Sequence, residues 1–468
     1  MLEKNFRSTA LAAATALLIS GCSLIPTYER PSPPVPAAFP GLSSTGTAEP
    51  RASALAWQDF FTDERLRKLI EIALANNRDL RISVLNIEQA RAQFQIQRAA
   101  QFPTLSATAS GSRQYPSLLS DGVSQSFSVG LGLTAWEIDF FGRISSLKES
   151  ALAQYLATEE SRKAAQISLI AAVANGWLTL LADDELLEIT KQTLATRDES
   201  LKLTRLRFES GVASEIDARL AESLAETARA SFADQRRRRM QDENALVLLL
   251  GAPLPPESTT GSDKGLQALA PMPELPAGLP SDLIGERPDI RAAEQQLIAA
   301  NANIGAARAA FFPRVALTTS IGTTSREFSG LFDAGTKAWA FSPQISLPIF
   351  DAGRNQASLE AARASREIAV AQYERSIQAA FRDVADALAG RATFSEQLRA
   401  LRAQADAESA RFRLSDLRYR NGIASALDLL DAQRSLFSTQ QTAVQVRLLQ
   451  LQNQVVLYKA LGGGWATR

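Results

Sequence analysis

Hydrophobic positions along the chain fall into two rhythms. In four short stretches every second residue is apolar: Phe127, Val129, Leu131, Leu133 and Ala135 alternate with Ser128, Gly130, Gly132 and Thr134. Trp339, Phe341, Ile345, Leu347 and Ile349 alternate with Ala340, Ser342, Gln344 and Ser346, and Leu105–Ala109 and Val315–Thr323 follow the same rule more weakly. A period of two predicts strands, each about 9 to 13 residues long, enough for a tilted strand to cross hydrocarbon. Elsewhere apolar residues step by three and four, as in Val370, Tyr373, Ile377, Phe381, Val384 and Leu388, or Leu448, Leu451, Val455 and Tyr458. That spacing predicts helices packed along one face. Between Arg143 and Ser210, and again between Arg354 and Asn421, there is no proline and a single glycine, Gly176 or Gly390. About 67 residues at about 1.5 Å each make a rod of roughly 100 Å. From Trp57 to Gln101 the chain carries neither proline nor glycine, which predicts one further helix ending at Phe102-Pro103.

The pattern is written twice. "AQFPTLSATAS" from Ala100 matches "AFFPRVALTTS" from Ala310, Gly142-Arg143 matches Gly353-Arg354, and Gly211 with Asp217 matches Gly422 with Asp428. Each half reads as helix, two strands, a very long helix, a glycine corner and a returning helix. This predicts a first repeat over 57–251, with strands at about 103–138 and a long helix at about 143–209. A proline-rich linker follows over 252–285. The second repeat runs over 286–468, with strands at about 313–350 and a long helix at about 354–420.

The N-terminus adds an address. Lys4 and Arg7 precede an apolar run, Ala10–Ile19, too short to span a bilayer, which predicts a signal peptide over 1–21. Ile19-Ser20-Gly21-Cys22 resembles a lipoprotein cleavage box, so Cys22, the only cysteine, is the expected acylated first mature residue. Ser23 after it fits sorting to the outer membrane. Residues 22–56, with six prolines between Pro26 and Pro40, read as an extended strap.

Composition removes alternatives. Lysine plus arginine equals aspartate plus glutamate at 50 each, so no net field draws the chain to nucleic acid. Histidine is absent, which takes away the commonest general base and most zinc sites. No enzyme, metal or cofactor is expected. Three methionines and one lipidated cysteine also argue against a duct for soft metals.

The alternating segments suit either a half-buried soluble sheet or a membrane barrel. The outer-membrane signal, the expected lack of an apolar spanning helix, and aromatics near the strand ends (Phe102, Trp136, Phe140, Phe141, Phe311, Phe312, Phe350) favour the barrel. Four strands cannot close a membrane barrel, which tolerates no open edge, so several chains must each contribute four; three chains supply twelve. Pro343 and Pro348 cannot donate to a ladder, so a bulge or bend is expected there.

Over nearly its whole mature length the chain resembles the outer-membrane factor family, the TolC and OprM type of efflux channel, and is nearest the OprM branch. The resemblance rests on "CSLIP", "WEIDFFGR" from Trp136, "GVAS" from Gly211, "NALVLLLG" from Asn244, "LPSDLIGERPDI" from Leu279, "NANIGAARAAFFP" from Asn301, "SGLFDAG" from Ser329, "LLDAQRSLF" from Leu429 and "LYKALGGGW" from Leu457. It implies a mixed α/β membrane protein: a homotrimer whose twelve-stranded outer-membrane β-barrel continues into a twelve-helix periplasmic α-barrel. The chain would be the lipid-anchored outer-membrane exit of a tripartite multidrug pump. Its implied partners are a periplasmic adaptor (membrane fusion protein), an inner-membrane RND transporter and outer-membrane lipid.

On that reading Gly211 and Gly422 make the turns at the periplasmic tip. Asp217, Asp428 and Asp431 would form carboxylate rings selecting cations. Ile216 and Leu427 would narrow the lumen, and Arg418 and Tyr419, with Arg420 a further candidate, would hold the closed state. The same aspartates sit where helix N-terminal caps belong. Two other functions stay open: the outer-membrane duct of an ABC-driven type I protein secretion system, and a lipid-anchored coiled-coil scaffold without a pore.

Overall fold

The computed structural model describes residues 23–39, 55–115, 123–256, 265–266, 269–275 and 285–465. The expected signal segment, 1–21, and Cys22 lie outside these residues. In chain order the elements are α1 (Trp57–Phe60), α2 (Glu64–Asn76), α3 (Arg78–Ala99), β1 (Leu105–Gln114), β2 (Ser124–Ile138), α4 (Arg143–Glu209) and α5 (Glu215–Leu250). There follow α6 (Pro288–Ala309), β3 (Arg314–Ser325), β4 (Lys337–Ser346), α7 (Arg354–Arg420) and α8 (Ala426–Ala460).

The helix expected from Trp57 to Gln101 is in fact three. Asp63 starts α2 by accepting from the Arg65 and Leu66 amides. Asn77 restarts the chain at α3: its Oδ1 accepts from Leu80 N at 2.9 Å while its Nδ2 donates to the Leu249 carbonyl at 2.9 Å. Side-chain caps break a helix as firmly as proline does, without proline's signature.

The four strands form one antiparallel sheet in the order β1-β2-β3-β4. Register aligns Ala107, Leu131, Ile321 and Trp339 across it, and next to them Thr108, Gly130, Gly322 and Ala338. One face is therefore apolar and the other small or polar, as period two requires. The apolar face is bare: Leu131, Ile321, Trp339 and Phe341 are 48%, 68%, 78% and 62% exposed. Gly130 faces Gly322 because nothing larger fits; a Cβ on Gly322 would lie 2.3 Å from the Val129 carbonyl oxygen. Among the described residues, β1 and β4 are paired along one side only.

The irregularity expected at the prolines lies elsewhere. Register runs unbroken through Pro343, opposite Leu317. Pro348 falls beyond the strand end. The bulge is instead in β2, between Leu133 and Trp136, where Ala135 takes φ +49° and gives its amide to Thr318 Oγ1 at 3.1 Å.

Two compact units divide the chain, and each draws on both sequence repeats. One comprises residues up to Ser32, Leu85–Glu159 and Arg291–Arg375, and so holds the whole sheet; the other comprises Pro33–Val84, Glu160–Ile290 and Ser376–Arg468. In the first unit the strap is stapled to α6. Arg308 donates to Leu24 O at 3.2 Å and Asn301 to Pro26 O at 2.7 Å, while Tyr28 (3.0 Å) and Arg30 (2.7 Å) both reach Glu294. Where β2 hands over to α4, buried Glu137 joins Arg143 and Arg314, each at 2.6 Å, tying the two repeats together.

In the second unit the core gathers Trp177, Leu178, Leu181, Leu246 and Leu250, with Phe60 stacked on Tyr458 at 4.1 Å. α4 carries an 18-residue window of mean hydropathy 1.5, long and apolar enough to cross a membrane, although the sequence reading expected no such helix. That window is 61% buried within the chain, so its apolarity serves packing.

Candidate functional site

Both glycine corners lie in the second unit and are copies in atomic detail. Gly211 and Gly422 have φ +71° and +74°, a left-handed conformation open to glycine at no steric cost. Each closes its preceding helix in the same way: Gly211 N donates to Phe208 O (2.9 Å) and Val212 N to Arg207 O (2.8 Å), while Gly422 N donates to Tyr419 O (3.0 Å) and Ile423 N to Arg418 O (2.9 Å). Each returning helix then opens with a capping box. Ser214 Oγ accepts from Asp217 N at 3.2 Å and donates to Asp217 Oδ2 at 2.7 Å; the Ser425 and Asp428 pair repeats this at 3.2 and 2.8 Å. Among the described residues the cap engages only Oδ2 of each aspartate, and the boxes are exposed. The fixed spacing from glycine to aspartate in the sequence is thus a turn followed by a cap.

The other sequence-selected residues separate into distinct environments. Asp431 is held by two arginines, Arg411 and Arg434, the latter at 2.6 Å, and the Arg411 hydrogen bond keeps its carboxyl below the usual carboxylate range. It has no counterpart in the first repeat, where Leu220 stands at the matching position. Ile216 and Leu427 are 78% and 63% exposed, and Val212 and Ile423 beside them are 76% and 69% exposed. Arg418 is exposed with no side-chain partner among the described residues, whereas Arg420 pairs with Asp416 at 2.9 Å and Glu199 at 3.3 Å.

Tyr419 is only 4% exposed, packed with Ala426 and Leu429 and against Leu203 and Phe412. Its hydroxyl lies 3.2 Å from Thr204 Oγ1, on the long helix of the other repeat. Arg207 completes the junction. Its guanidinium sits 4.5 Å over the Tyr419 ring, and Nη2 donates to the carbonyls of Tyr419 (3.2 Å) and Arg420 (3.3 Å) at the end of α7. A cation there neutralises the negative end of the helix dipole and satisfies carbonyls the helix leaves free. Sequence reading missed Arg207, although the repeat contained the signal: it occupies the place in the first half that Arg418 holds in the second. The paired arginines have opposite fates, one clamped across the repeats and one free to meet something else.

This site has no nucleophile and base in array, and no group of metal-ligating side chains occurs among the described residues. It is a junction in which ring, cation and carbonyls join two helical hairpins.

A family model for "Outer membrane efflux protein" matches residues 69–252 and 279–463, once for each repeat. The chain belongs to the outer membrane efflux protein family. It is 47% identical over 467 residues to the probable efflux pump outer membrane protein TtgC of Pseudomonas putida, covering 98% of this chain and 96% of that one. It is 46% identical to the outer membrane protein OprJ of Pseudomonas aeruginosa, over 97% of this chain and 95% of the other. Among solved structures, the open-state MtrE outer membrane channel of Neisseria gonorrhoeae superposes with a TM-score of 0.86 at 44% identity, covering 95% of this chain and 99% of that one. This member of the family is accordingly an outer-membrane efflux channel protein and not an enzyme, and its strands and long helices are the mixed α/β fold of that class.

Proposed function

We propose that three copies of this chain close a twelve-stranded barrel, continue it as a twelve-helix periplasmic tunnel, and form the exit duct of a tripartite pump. The observation that carries this is the sheet: four strands, a bare apolar face and two edges paired on one side only. An open edge in hydrocarbon leaves backbone groups without partners, whereas joining β4 of one copy to β1 of the next removes every edge. Acylation of Cys22 would anchor the strap in the same membrane. Cargo would be hydrophobic drugs and solvents, in keeping with relatives named for antibiotic, toluene and solvent efflux.

Beside the glycine corners, exposed Val212, Ile216, Ile423 and Leu427 offer the apolar surface that a periplasmic adaptor, itself bound to an RND transporter, would cover. Arg207, Tyr419 and Thr204 latch the hairpins within one chain, and Arg418 is left to reach a neighbouring copy. Threefold symmetry would make rings of Asp217, Asp428 and Asp431 that favour cations. Native mass spectrometry of the detergent-purified protein, followed by planar-bilayer recording, tests the assembly; three-chain particles that conduct are expected, and electrically silent monomers would refute it. Deleting the gene should raise drug susceptibility and leave the secreted-protein profile unchanged; the reverse result would assign the duct to type I secretion.

A further inference from the structure

Arg197 on α4 is 4% exposed, yet no carboxylate of the described residues lies within ion-pair range of it. Its Nη1 donates to the Leu224 carbonyl at 3.0 Å, its Nε is buried with no acceptor, and the guanidinium lies 5.4 Å from the centre of the Phe437 ring. The contrast with Arg287 is plain: that side chain, 7% exposed as a residue, is met by Asp289 at 2.7 Å and Asp383 at 3.6 Å. A guanidinium does not shed its charge when buried, so a desolvated one without a counter-charge is held at a cost.

Beside Arg197 is a cavity of about 170 Å³ between α4, α7 and α8, also lined by Ile189, Thr193, Phe412, Gln433 and Phe437. Gln433, 5% exposed, gives Nε2 to Ser200 Oγ at 2.9 Å, while its Oε1 has no donor. A lone cation and two aromatic rings therefore border one small space. Its size suits a single ring with one substituent, since a cavity of about 150 Å³ already holds benzene. Arg197 is the one charged residue in the lining, so a dianion such as phosphate would leave one of its charges unmatched, and a neutral ligand would leave Arg197 as it is.

We propose that this cavity binds a small aromatic monocarboxylate, its carboxylate on the Arg197 guanidinium and its ring against Phe412 and Phe437. The bound anion bridges a helix of the first repeat to two of the second, so occupancy stabilises their packing by linkage. The test uses the full-length channel in detergent, with benzoate as probe and benzyl alcohol as its uncharged counterpart of similar size. Equilibrium dialysis of labelled benzoate should show saturable binding of one molecule per chain, with a saturable rise in melting temperature; benzyl alcohol should neither compete nor protect. Arg197→Met should weaken benzoate binding at least tenfold without lowering the unliganded melting temperature, because it removes an unmatched charge while filling similar space. Phe437→Leu should weaken binding and leave Arg197 in place. Absence of saturable benzoate binding to the wild type, equal action of benzyl alcohol, or undiminished binding by Arg197→Met would each overturn the proposal.

Discussion

Replacing Arg207 by alanine removes the cation over the Tyr419 ring at 4.5 Å and both donations to the carbonyls ending α7, at 3.2 and 3.3 Å. The cation–π contact of a half-buried arginine is worth about 0.5–1 kcal/mol. The two hydrogen bonds are long and share one nitrogen, so together they add about 1 kcal/mol. Loss of positive charge at a helix C-terminus adds about 0.3–1 kcal/mol. The latch should therefore weaken by about 2 kcal/mol, which is a shift of about 30-fold in the ratio of open to closed hairpins at 1.4 kcal/mol per tenfold. Thr204→Val removes only the bond to the Tyr419 hydroxyl, about 0.5–1 kcal/mol, and should shift that ratio by less than about fivefold. Single-channel recording in planar bilayers reads the open probability directly, and retention of the purified assembly on sizing columns checks that neither variant has lost its fold. If Arg207→Ala stays within about twofold of wild type while Thr204→Val matches it, the contact is packing and the latch argument fails.

Gly322→Ala should prevent assembly of the three-chain particle, read by native mass spectrometry, because its Cβ would meet Val129 O at 2.3 Å and Gly130 Cα at 2.6 Å, backbone atoms of the paired strand; Gly132→Ala, whose nearest neighbour is at 3.4 Å, should assemble normally. Ser214→Ala and Ser425→Ala should each cost about 1 kcal/mol, read as equally faster amide exchange in the first turns of α5 and α8, since the two capping boxes match. Burial, with the Asp242 carboxyl nearby, raises the carboxyl of Asp183 to about 7 from an ordinary value of 3.8. The folded state thus binds the proton more tightly than the unfolded one, so this contribution to stability is complete below the unfolded value and is lost as pH rises through about 7. Melting temperatures at about pH 5 and about pH 8 should differ in that direction, and Asp183→Asn should remove the difference.

The long helices and the repeat were legible in the sequence because they depend on local rules. Two runs without proline and with one glycine each become α4 and α7, and a left-handed turn favours glycine, so Gly211 and Gly422 announce themselves. Breaks made by side chains were not legible. Asn77 stops a helix only because Leu249, distant in sequence, supplies an acceptor for its amide. The aspartates at the tip show the same division: a Ser-x-x-Asp spacing permits a capping box, and the backbone then uses it.

What the sequence by itself determined is periodic or compositional: strand alternation, helix length, the twofold copying and the missing histidine. Those follow from which side a residue faces and which backbone angles it allows, and neither needs a distant partner. Tertiary structure decided which of two equivalent arginines, Arg207 or Arg418, closes on Tyr419, where β2 bulges, and that Arg197 lies buried without a counter-charge. Each of those depends on what the rest of the chain brings within a few ångströms, where hydrogen bonds, desolvation and packing set the free energy, and that proximity has no local trace in the order of residues.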